Sequence, residues 1–302
     1  MISKVIVTGS TGFVGRNLIS HFQSEDQFDL ISLNLRETWD SSQLDEITSV
    51  IHLAGKAHDL KNVSQPEEYY QVNFELTKQL YDAFLKSEAK KFIFISTVKA
   101  VADHLDEPLT EDHEPNPQTH YGKSKLMAEE YIRKQVLPEG KSFYILRPCM
   151  IHGPGNKGNL NLLYQFVNKG IPYPLAAFEN KRSFLSVANL CFIIEELIER
   201  NDIPTGVYNV ADDEALSTNQ LVSLLAEALN KRPLLLQLPA KFISFAARIG
   251  DFLKLPLNTE RLGKLTENYV VSNQKIKQAL GKELPLSARE GILKTARAFK
   301  NG

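Results

Sequence analysis

The chain has 302 residues, of which 43% are hydrophobic and 24% are charged, and its formal net charge is −1. These values are typical of a soluble globular protein with one large or two modest domains. The near-neutral charge gives no sign of a surface that attracts nucleic acid or anionic membranes, so neither partner is expected. No apolar run reaches the roughly 18 residues of a membrane helix, and we expect a cytoplasmic protein without membrane insertion.

The sequence gives no indication of secretion or of metal binding. Residues 2–7 are already predicted to belong to the fold, so we expect no signal peptide before the first strand. Cys149 and Cys191 lie in apolar runs and are predicted to be buried free thiols in a reducing compartment. No cluster of His, Cys or carboxylate residues has the spacing of a metal site, so we predict no metal.

The first predicted elements are a strand, a glycine-rich turn and a helix. The strand covers residues 4–7, and helical periodicity continues over 16–22. Gly9, Gly12 and Gly15 fall at the turn, where missing side chains let backbone amides and a helix N-terminus approach a diphosphate. This context predicts a dinucleotide site.

Further strands follow at helix-sized intervals. They are predicted at residues 30–33, 50–55, 92–95, 143–146 and 207–210, with a long helix at 68–85. Strands that alternate with helices indicate an α/β fold built on a doubly wound parallel Rossmann sheet. Ligands bind beyond the carboxyl ends of such strands. Ser96 and Thr97 are therefore placed where chemistry occurs, although capping the next turn is the alternative.

The end of the second strand bears on the choice of cofactor. An acidic residue there usually holds the ribose 2′-hydroxyl of NAD, but this chain has Asn34-Leu35-Arg36. Arg36 is suited to the 2′-phosphate of NADP(H), which we weakly favour over NAD. The alternative is a surface Arg36 without any cofactor contact. Asp40 is a candidate for contact with the adenine.

A tyrosine and a lysine four residues apart carry the predicted chemistry. Tyr121 and Lys125 fall on one face of a predicted helix. An ammonium beside a phenol favours the phenolate, so we expect Lys125 to lower the pKa of Tyr121. A tyrosine tuned in this way exchanges a proton with a sugar hydroxyl. By itself the pattern is weak, because in most helices it marks a surface lysine beside a half-buried tyrosine.

Taken together, these motifs resemble the extended short-chain dehydrogenase/reductase superfamily, in particular its nucleotide-sugar epimerase/dehydratase family. The matching segments, in family order, are Thr8-Gly9-Ser10-Thr11-Gly12-Phe13-Val14-Gly15, His52-Leu53-Ala54-Gly55, Val72-Asn73, Ser96-Thr97, Tyr121-Gly122-Lys123-Ser124-Lys125, Arg147-Pro148 and His152-Gly153-Pro154-Gly155.

The resemblance implies a role for each matching residue. Tyr121 would be the catalytic acid/base, Lys125 would assist it and bind the nicotinamide ribose, and Thr97 would hydrogen-bond the reacting sugar oxygen. Asn73 would brace the strand ends. The predicted cofactor contacts are Gly9, Thr11, Gly12, Phe13, Val14, Gly15, Asn34, Arg36, Leu53, Ala54, Gly55, Asn73, Ser96, Tyr121, Lys125 and Pro148.

A closer resemblance lies in residues 153–159 and 180–190. These segments are similar to bacterial enzymes of surface-polysaccharide synthesis that act on UDP-N-acetylhexosamines, namely 4-reductases that form UDP-N-acetylquinovosamine and UDP-sugar 4-epimerases. Asn159 and Arg182 are the predicted substrate contacts, because a guanidinium suits a diphosphate. A solvent-facing basic loop at Lys181 and Arg182 is the alternative.

The residues after Thr97 narrow the reaction. Dehydratases of this family have Asp-Glu there, whereas this chain has Val98-Lys99, so dehydration is disfavoured. A 4-keto reductase and a 4-epimerase with bound NAD remain, and Asn34 with Arg36 favours the reductase. A non-catalytic dinucleotide sensor is a weaker alternative, because such proteins usually lose the tyrosine or the lysine.

The predicted domains are discontinuous. Residues 1–150 form the NAD(P)-binding domain, to which 184–212 return, and residues 151–183 and 213–302 form the smaller substrate domain. The resemblance implies a homodimer joined through the helix at 68–85 and the Tyr121 helix. His58 is a candidate substrate contact, with a solvated side chain as the alternative. The stretch from Phe242 to Leu253 is predicted to be an amphipathic helix on the core, with a membrane-surface or dimer role as the alternative.

Overall fold

The computed structural model describes residues 2–23, 27–57, 65–253 and 258–300. Its strands are β1 (Ser3–Thr8), β2 (Phe28–Leu33), β3 (Ser49–His52), β4 (Lys91–Ile95), β5 (Ser142–Pro148), β6 (Met150–His152), β7 (Phe184–Ser186) and β8 (Gly206–Val210). Its helices are α1 (Phe13–Phe22), α2 (Pro66–Tyr70), α3 (Leu76–Lys86), α4 (His120–Lys134), α5 (Asn159–Asn168), α6 (Val187–Glu199), α7 (Thr218–Ala228), α8 (Ala240–Leu253), α9 (Thr259–Thr266), α10 (Gln274–Leu280) and α11 (Ala288–Lys300).

A parallel sheet organises the described residues. Its strand order is β2-β1-β3-β4-β5-β8, and every neighbouring pair is parallel. The register places Thr8 opposite His52 and Ile95 opposite Leu146, so the carboxyl ends of the strands meet at one edge. The predicted α/β fold is therefore confirmed, and the predicted strand at 207–210 joins the sheet beside β5.

The sheet is buried on both faces, which explains the continuous apolar runs of its strands. Side chains of a strand alternate between the two faces. Val5 and Val7 pack into one core with residues of α1 and α6, and Ile6 packs into a second core with residues of α3 and α4. A third core joins α5, α7 and α11, beside the small parallel pair of β6 and β7.

The predicted helix at 68–85 contains an irregularity. It consists of α2, a π-helical turn over Gln71–Glu75 and α3. Such a turn inserts a residue into the helix and is frequent at functional sites. It contains Asn73, whose side chain is fully buried.

Two further predictions concern buried or membrane-facing groups. Cys149 and Cys191 are both buried and free, as predicted. Of the helices that the structure describes, none has the length and apolarity needed to span a bilayer. The predicted amphipathic helix forms as α8, but its contact with the core is limited to residues such as Ile243 and Ala247, and several of its large apolar side chains are exposed.

A buried amide joins the sheet to the C-terminal segment. Asn189 in α6 donates to Asp212 Oδ1 at 2.7 Å and to the carbonyl of Leu286 at 2.8 Å, and it accepts from the Leu286 amide at 3.0 Å. The Asp212 carboxylate also accepts the Ser186 amide. Asn189 thus donates to a buried carboxylate and holds the backbone at Leu286, which leads into α11.

We predict that Asn189→Asp destabilises the fold. The variant places two carboxylates side by side and removes a buried donor, which costs about 2–4 kcal/mol of unfolding free energy. Urea unfolding of the variant measures the loss. Asn201→Asp, at an exposed position, is the matched control and is expected to change stability by less than about 0.5 kcal/mol. An Asn189→Asp protein as stable as the control would contradict this role.

Candidate active site

The glycine-rich turn between β1 and α1 is built by close backbone approach. Gly9 has φ +70°, and a Cβ there would lie 2.7 Å from the Ala54 amide nitrogen. A Cβ on Gly15 would lie 2.4 Å from the Gly9 carbonyl oxygen. Both positions therefore exclude larger side chains.

The same turn fits the diphosphate of a dinucleotide. Gly12 is the N-cap of α1 and offers no side chain to its first-turn amides, which leaves the positive end of the helix open to an anion. Thr11 and Gly12 are exposed, and Phe13 and Val14 are half-buried behind them. The donor set suits two phosphate groups.

At the end of β2, the predicted cofactor residues form a local turn. The Asn34 side-chain amide Nδ2 donates to Glu37 Oε1 at 2.6 Å, and Asn34 Oδ1 accepts the backbone amide of Arg36 at 3.1 Å. The Arg36 side chain is exposed. Asp40 caps a 3-10 turn at Ser41–Leu44, and its contact with adenine stays a prediction. The Glu37 carboxylate, which is not among the predicted cofactor contacts, lies one residue after Arg36.

The segment after β3 is held beside the turn by Asn73. The Leu53 and Ala54 amides bond to the backbone and side chain of Thr8. Asn73 Oδ1 accepts the Lys56 amide at 2.7 Å, and its amide group donates to the Lys56 carbonyl and to Ser124 Oγ, both at 3.0 Å. Asn73 therefore braces the strand end against α4, as the sequence predicts.

The N-terminus of α4 carries the central pair. Thr119 caps the helix by accepting the Gly122 amide at 3.1 Å. A Cβ on Gly122 would lie 2.3 Å from the Lys99 carbonyl oxygen, so glycine lets α4 approach the turn after β4. This approach brings the phenol of Tyr121 beside the Thr97 side chain, which acts to lower the pKa of the phenol.

Lys125 is buried one turn below Tyr121. Its side chain is 4% exposed, and Nζ donates to the Ile95 carbonyl at 2.8 Å and lies 4.6 Å from the centre of the Phe94 ring. A Cβ on Gly55 would come within 3.0 Å of Nζ, so the glycine keeps space open around the ammonium.

Burial sets the acidities of the pair. Desolvation lowers the pKa of Lys125 to about 8, with Glu129 acting in the opposite direction. Burial also raises the pKa of Tyr121, and the Thr97 side chain opposes this in part. The expectation that Lys125 lowers the pKa of Tyr121 is therefore wrong for this structure, because desolvation of the phenol is the larger effect.

Beneath the pair lies a buried ionic network that the sequence did not reveal. Arg147 Nε donates to both oxygens of Glu129, at 3.1 and 3.0 Å, and both side chains are almost fully buried. The Ser96 hydroxyl donates to the same carboxylate. Ser96 therefore supports the site from below, and its contact with the cofactor stays a prediction. Pro148 follows Arg147 at the end of β5 and is buried.

The predicted substrate residues lie further from the central pair. Asn159 begins α5 and is exposed. Arg182 is 23% exposed with Nη2 4.0 Å from Glu267 Oε1, and its backbone pairs with Tyr269. The Tyr269 ring lies 4.1 Å below Lys99 Nζ, which connects this segment to the turn that starts at Thr97.

Two predictions remain to be placed. His58 lies outside the described residues. Across residues 2–23, 27–57, 65–253 and 258–300, no group of three or more His, Cys, Asp or Glu side chains is arranged to hold a metal ion.

Two similar sequences carry the names of sugar 4-epimerases. The chain is 31% identical over 322 residues to a UDP-glucose 4-epimerase of Vibrio cholerae, covering 99% of this chain and 96% of the relative. It is 29% identical over 301 residues to the N-acetyl-alpha-D-glucosaminyl-diphospho-ditrans,octacis-undecaprenol 4-epimerase of Escherichia coli O157:H7, covering 92% and 86%.

Solved structures share the fold. MoeE5 in complex with UDP-glucose and NAD superposes with a TM-score of 0.76 at 20% identity, over 99% of each chain. RMD from Pseudomonas aeruginosa complexed with NADPH gives a TM-score of 0.70 at 21% identity, over 99% of this chain and 98% of that one. Residues 5–211 match the family described as NAD dependent epimerase/dehydratase. With this match over more than half its length, the chain belongs to the NAD-dependent epimerase/dehydratase family.

Proposed function

We propose that the protein is an NAD(P)H-dependent 4-reductase of a UDP-linked 4-keto-N-acetylhexosamine. The observation that carries this proposal is the placement of Thr97 and Tyr121 together above the buried Lys125, at the carboxyl edge of the sheet. The glycine turn and the open helix N-terminus suit a dinucleotide beside that pair.

Each side chain of the group has a distinct task in this reaction. The reduced nicotinamide supplies a hydride to C4. Tyr121 gives its proton to the C4 oxygen, and Thr97 holds the same oxygen by its hydroxyl. A raised pKa keeps Tyr121 protonated before reaction, which suits a proton donor. Lys125 contributes positive charge below the phenol and a donor for the nicotinamide ribose.

The residues after Thr97 oppose dehydration. Loss of water from the sugar requires an acid and a base beside the substrate. Val98 is a buried apolar residue, and the Lys99 ammonium donates to the Asp103 carbonyl at 2.8 Å. Neither side chain supplies a carboxyl group to the substrate.

A 4-epimerase is the second candidate. It is favoured by the two relatives at 31% and 29% identity, each of which is named a 4-epimerase. Epimerisation needs the same three side chains but uses a bound oxidised cofactor that returns the hydride to the other face of the sugar. The exposed Arg36 beside the end of β2 supports an exchangeable NADP(H) and hence the reductase. Glu37, which is bonded to Asn34, is the feature that favours NAD.

Two parallel assays separate the candidates. The protein is incubated with UDP-4-keto-6-deoxy-N-acetylglucosamine and NADPH or NADH, with absorbance at 340 nm as the readout. It is also incubated with UDP-N-acetylglucosamine without reductant, with chromatography for UDP-N-acetylgalactosamine. We expect nucleotide oxidation in the first assay, faster with NADPH, and no interconversion in the second. Rapid interconversion without reductant would reject the reductase.

Tyr121→Phe is predicted to lower kcat at least about 100-fold, because the variant keeps the ring and loses the transferable proton. The matched control is Tyr131→Phe, in the same helix, whose hydroxyl donates to Asp82 away from the pair. Steady-state kinetics and thermal melting of both variants check the prediction. Full activity in Tyr121→Phe would refute the acid role.

Lys125 is predicted to make stability depend on pH. Between about pH 8 and 10.5 the unfolded chain retains the lysine proton and the folded protein releases it, so unfolding free energy rises with pH in this window. The rise is at most about 3 kcal/mol. Lys125→Met should lose this part of the rise, as measured by urea unfolding at pH 7, 8.5 and 10. An unchanged profile in the variant would contradict burial of a charged lysine.

A further inference from the structure

Helix α8 turns a row of large apolar side chains toward solvent. Phe242, Phe245, Ile249 and Phe252 are 72%, 63%, 40% and 87% exposed. They recur at three- and four-residue intervals, so they line one face of the helix. We call these four residues the α8 face.

The segment that leads into α8 is exposed and apolar as well. Leu234, Leu235, Leu236 and Leu238 are between 38% and 46% exposed. This segment is ordered, because the Tyr173 amide donates to the Leu234 carbonyl at 2.7 Å and the Leu236 amide donates to the Tyr173 carbonyl at 2.9 Å. An exposed apolar surface of this extent marks a contact with another molecule or with a membrane.

The charge around the α8 face is predominantly positive. From residue 230 to the end of α8 at Leu253, the chain contains one acidic side chain, Asp251, and four basic side chains, Lys231, Arg232, Lys241 and Arg248. All four basic side chains are exposed. The chain as a whole has a net charge of −1, so its overall balance conceals this local excess.

We propose that the α8 face and the segment at 234–238 bind the surface of an anionic lipid bilayer. A helix with aromatic residues on one face and basic residues beside them lies in the plane of the interface, with its apolar side chains at the boundary of the acyl chains. The basic side chains then meet lipid phosphates. This contact is peripheral and agrees with the lack of a spanning helix among the described residues.

A second copy of the chain fits this surface less well. A two-fold interface brings the same patch of both copies together. The four basic side chains of residues 230–253 would then face their own equivalents, and this segment has only Asp251 to balance them. Like charges at an interface oppose association, whereas an anionic bilayer neutralises them.

The surface belongs to the layer that holds the candidate substrate contacts. Helix α9 packs against α8, and the Leu265 carbonyl in α9 accepts the Asn180 side-chain amide at 3.2 Å. Asn180 lies two residues before Arg182. Binding through the α8 face would thus hold the candidate substrate contacts close to a membrane surface.

Co-sedimentation of the full chain with vesicles tests the proposal without reference to catalysis. One set of vesicles is phosphatidylcholine with 30% phosphatidylglycerol, and the other is phosphatidylcholine alone. We expect binding to the anionic vesicles, at least about tenfold weaker binding to the neutral ones, and a strong decrease in 0.5 M NaCl. Phe242→Ser/Phe252→Ser should weaken anionic binding at least about tenfold.

Matched variants separate the apolar and the charged contributions. Met127→Ser/Val136→Ser changes two exposed apolar residues outside the α8 face and should bind like wild type. Lys241→Glu/Arg248→Glu should abolish the preference for anionic vesicles. Circular dichroism melting confirms that each variant is folded.

Three outcomes would overturn the proposal. The first is a wild-type protein that does not sediment with anionic vesicles. The second is equal binding by Phe242→Ser/Phe252→Ser and wild type. The third is a fall in oligomer mass of that variant by light scattering, without vesicle binding by wild type, which would assign the face to a second copy of the chain.

Discussion

The site depends on a lysine ammonium that is held out of water at the carboxyl edge of the sheet. Removing such a charge from solvent is costly unless partners replace its hydration. Lys125 has the Ile95 carbonyl and the face of the Phe94 ring, and desolvation still lowers its pKa to about 8. The surrounding structure holds those partners in place and keeps larger side chains away. Gly55 leaves room for the ammonium, and Gly122 lets α4 approach the turn after β4.

Two buried polar networks support this arrangement from neighbouring elements. Asn73 joins the segment after β3 to α4, and the π-helical turn gives its amide the position to do so. Glu129, one turn beyond Lys125, is paired with Arg147 in β5. A buried ion pair of this kind adds little net stability. Its value here is geometric, because it fixes α4 against the sheet and leaves a negative charge near the lysine.

The sequence predicts well those features that depend on local pattern. Apolar runs and the glycine spacing locate β1, β3, β4 and β5 and the dinucleotide turn, because burial on both faces leaves few alternatives. The shared helix face of Tyr121 and Lys125 follows from helix geometry. Asn73 is predicted from the family resemblance, but the π-helical turn that positions it is not, since one inserted residue leaves the apolar pattern nearly unchanged.

Features that depend on tertiary surroundings could not be predicted in the same way. Whether Lys125 or desolvation controls the pKa of Tyr121 depends on how deeply the phenol is buried. Desolvation is the largest effect, and it raises the pKa of Tyr121. Ser96 and Thr97 both follow β4, but successive side chains point to opposite faces of the sheet. The Ser96 hydroxyl therefore bonds to Glu129. The exposure of α8 escaped prediction because an amphipathic pattern shows that a helix has an apolar face, without showing what covers it.

Isotope transfer tests the central claim most directly. NADPH carrying deuterium at the transferable C4 position of the nicotinamide is incubated with the protein and UDP-4-keto-6-deoxy-N-acetylglucosamine, and the sugar product is analysed by NMR and mass spectrometry. The account predicts one deuterium, located at C4 of the sugar, in one configuration. A sugar product without deuterium would contradict the account. So would a protein that does not turn over the 4-keto sugar but interconverts UDP-N-acetylhexosamines without a reductant.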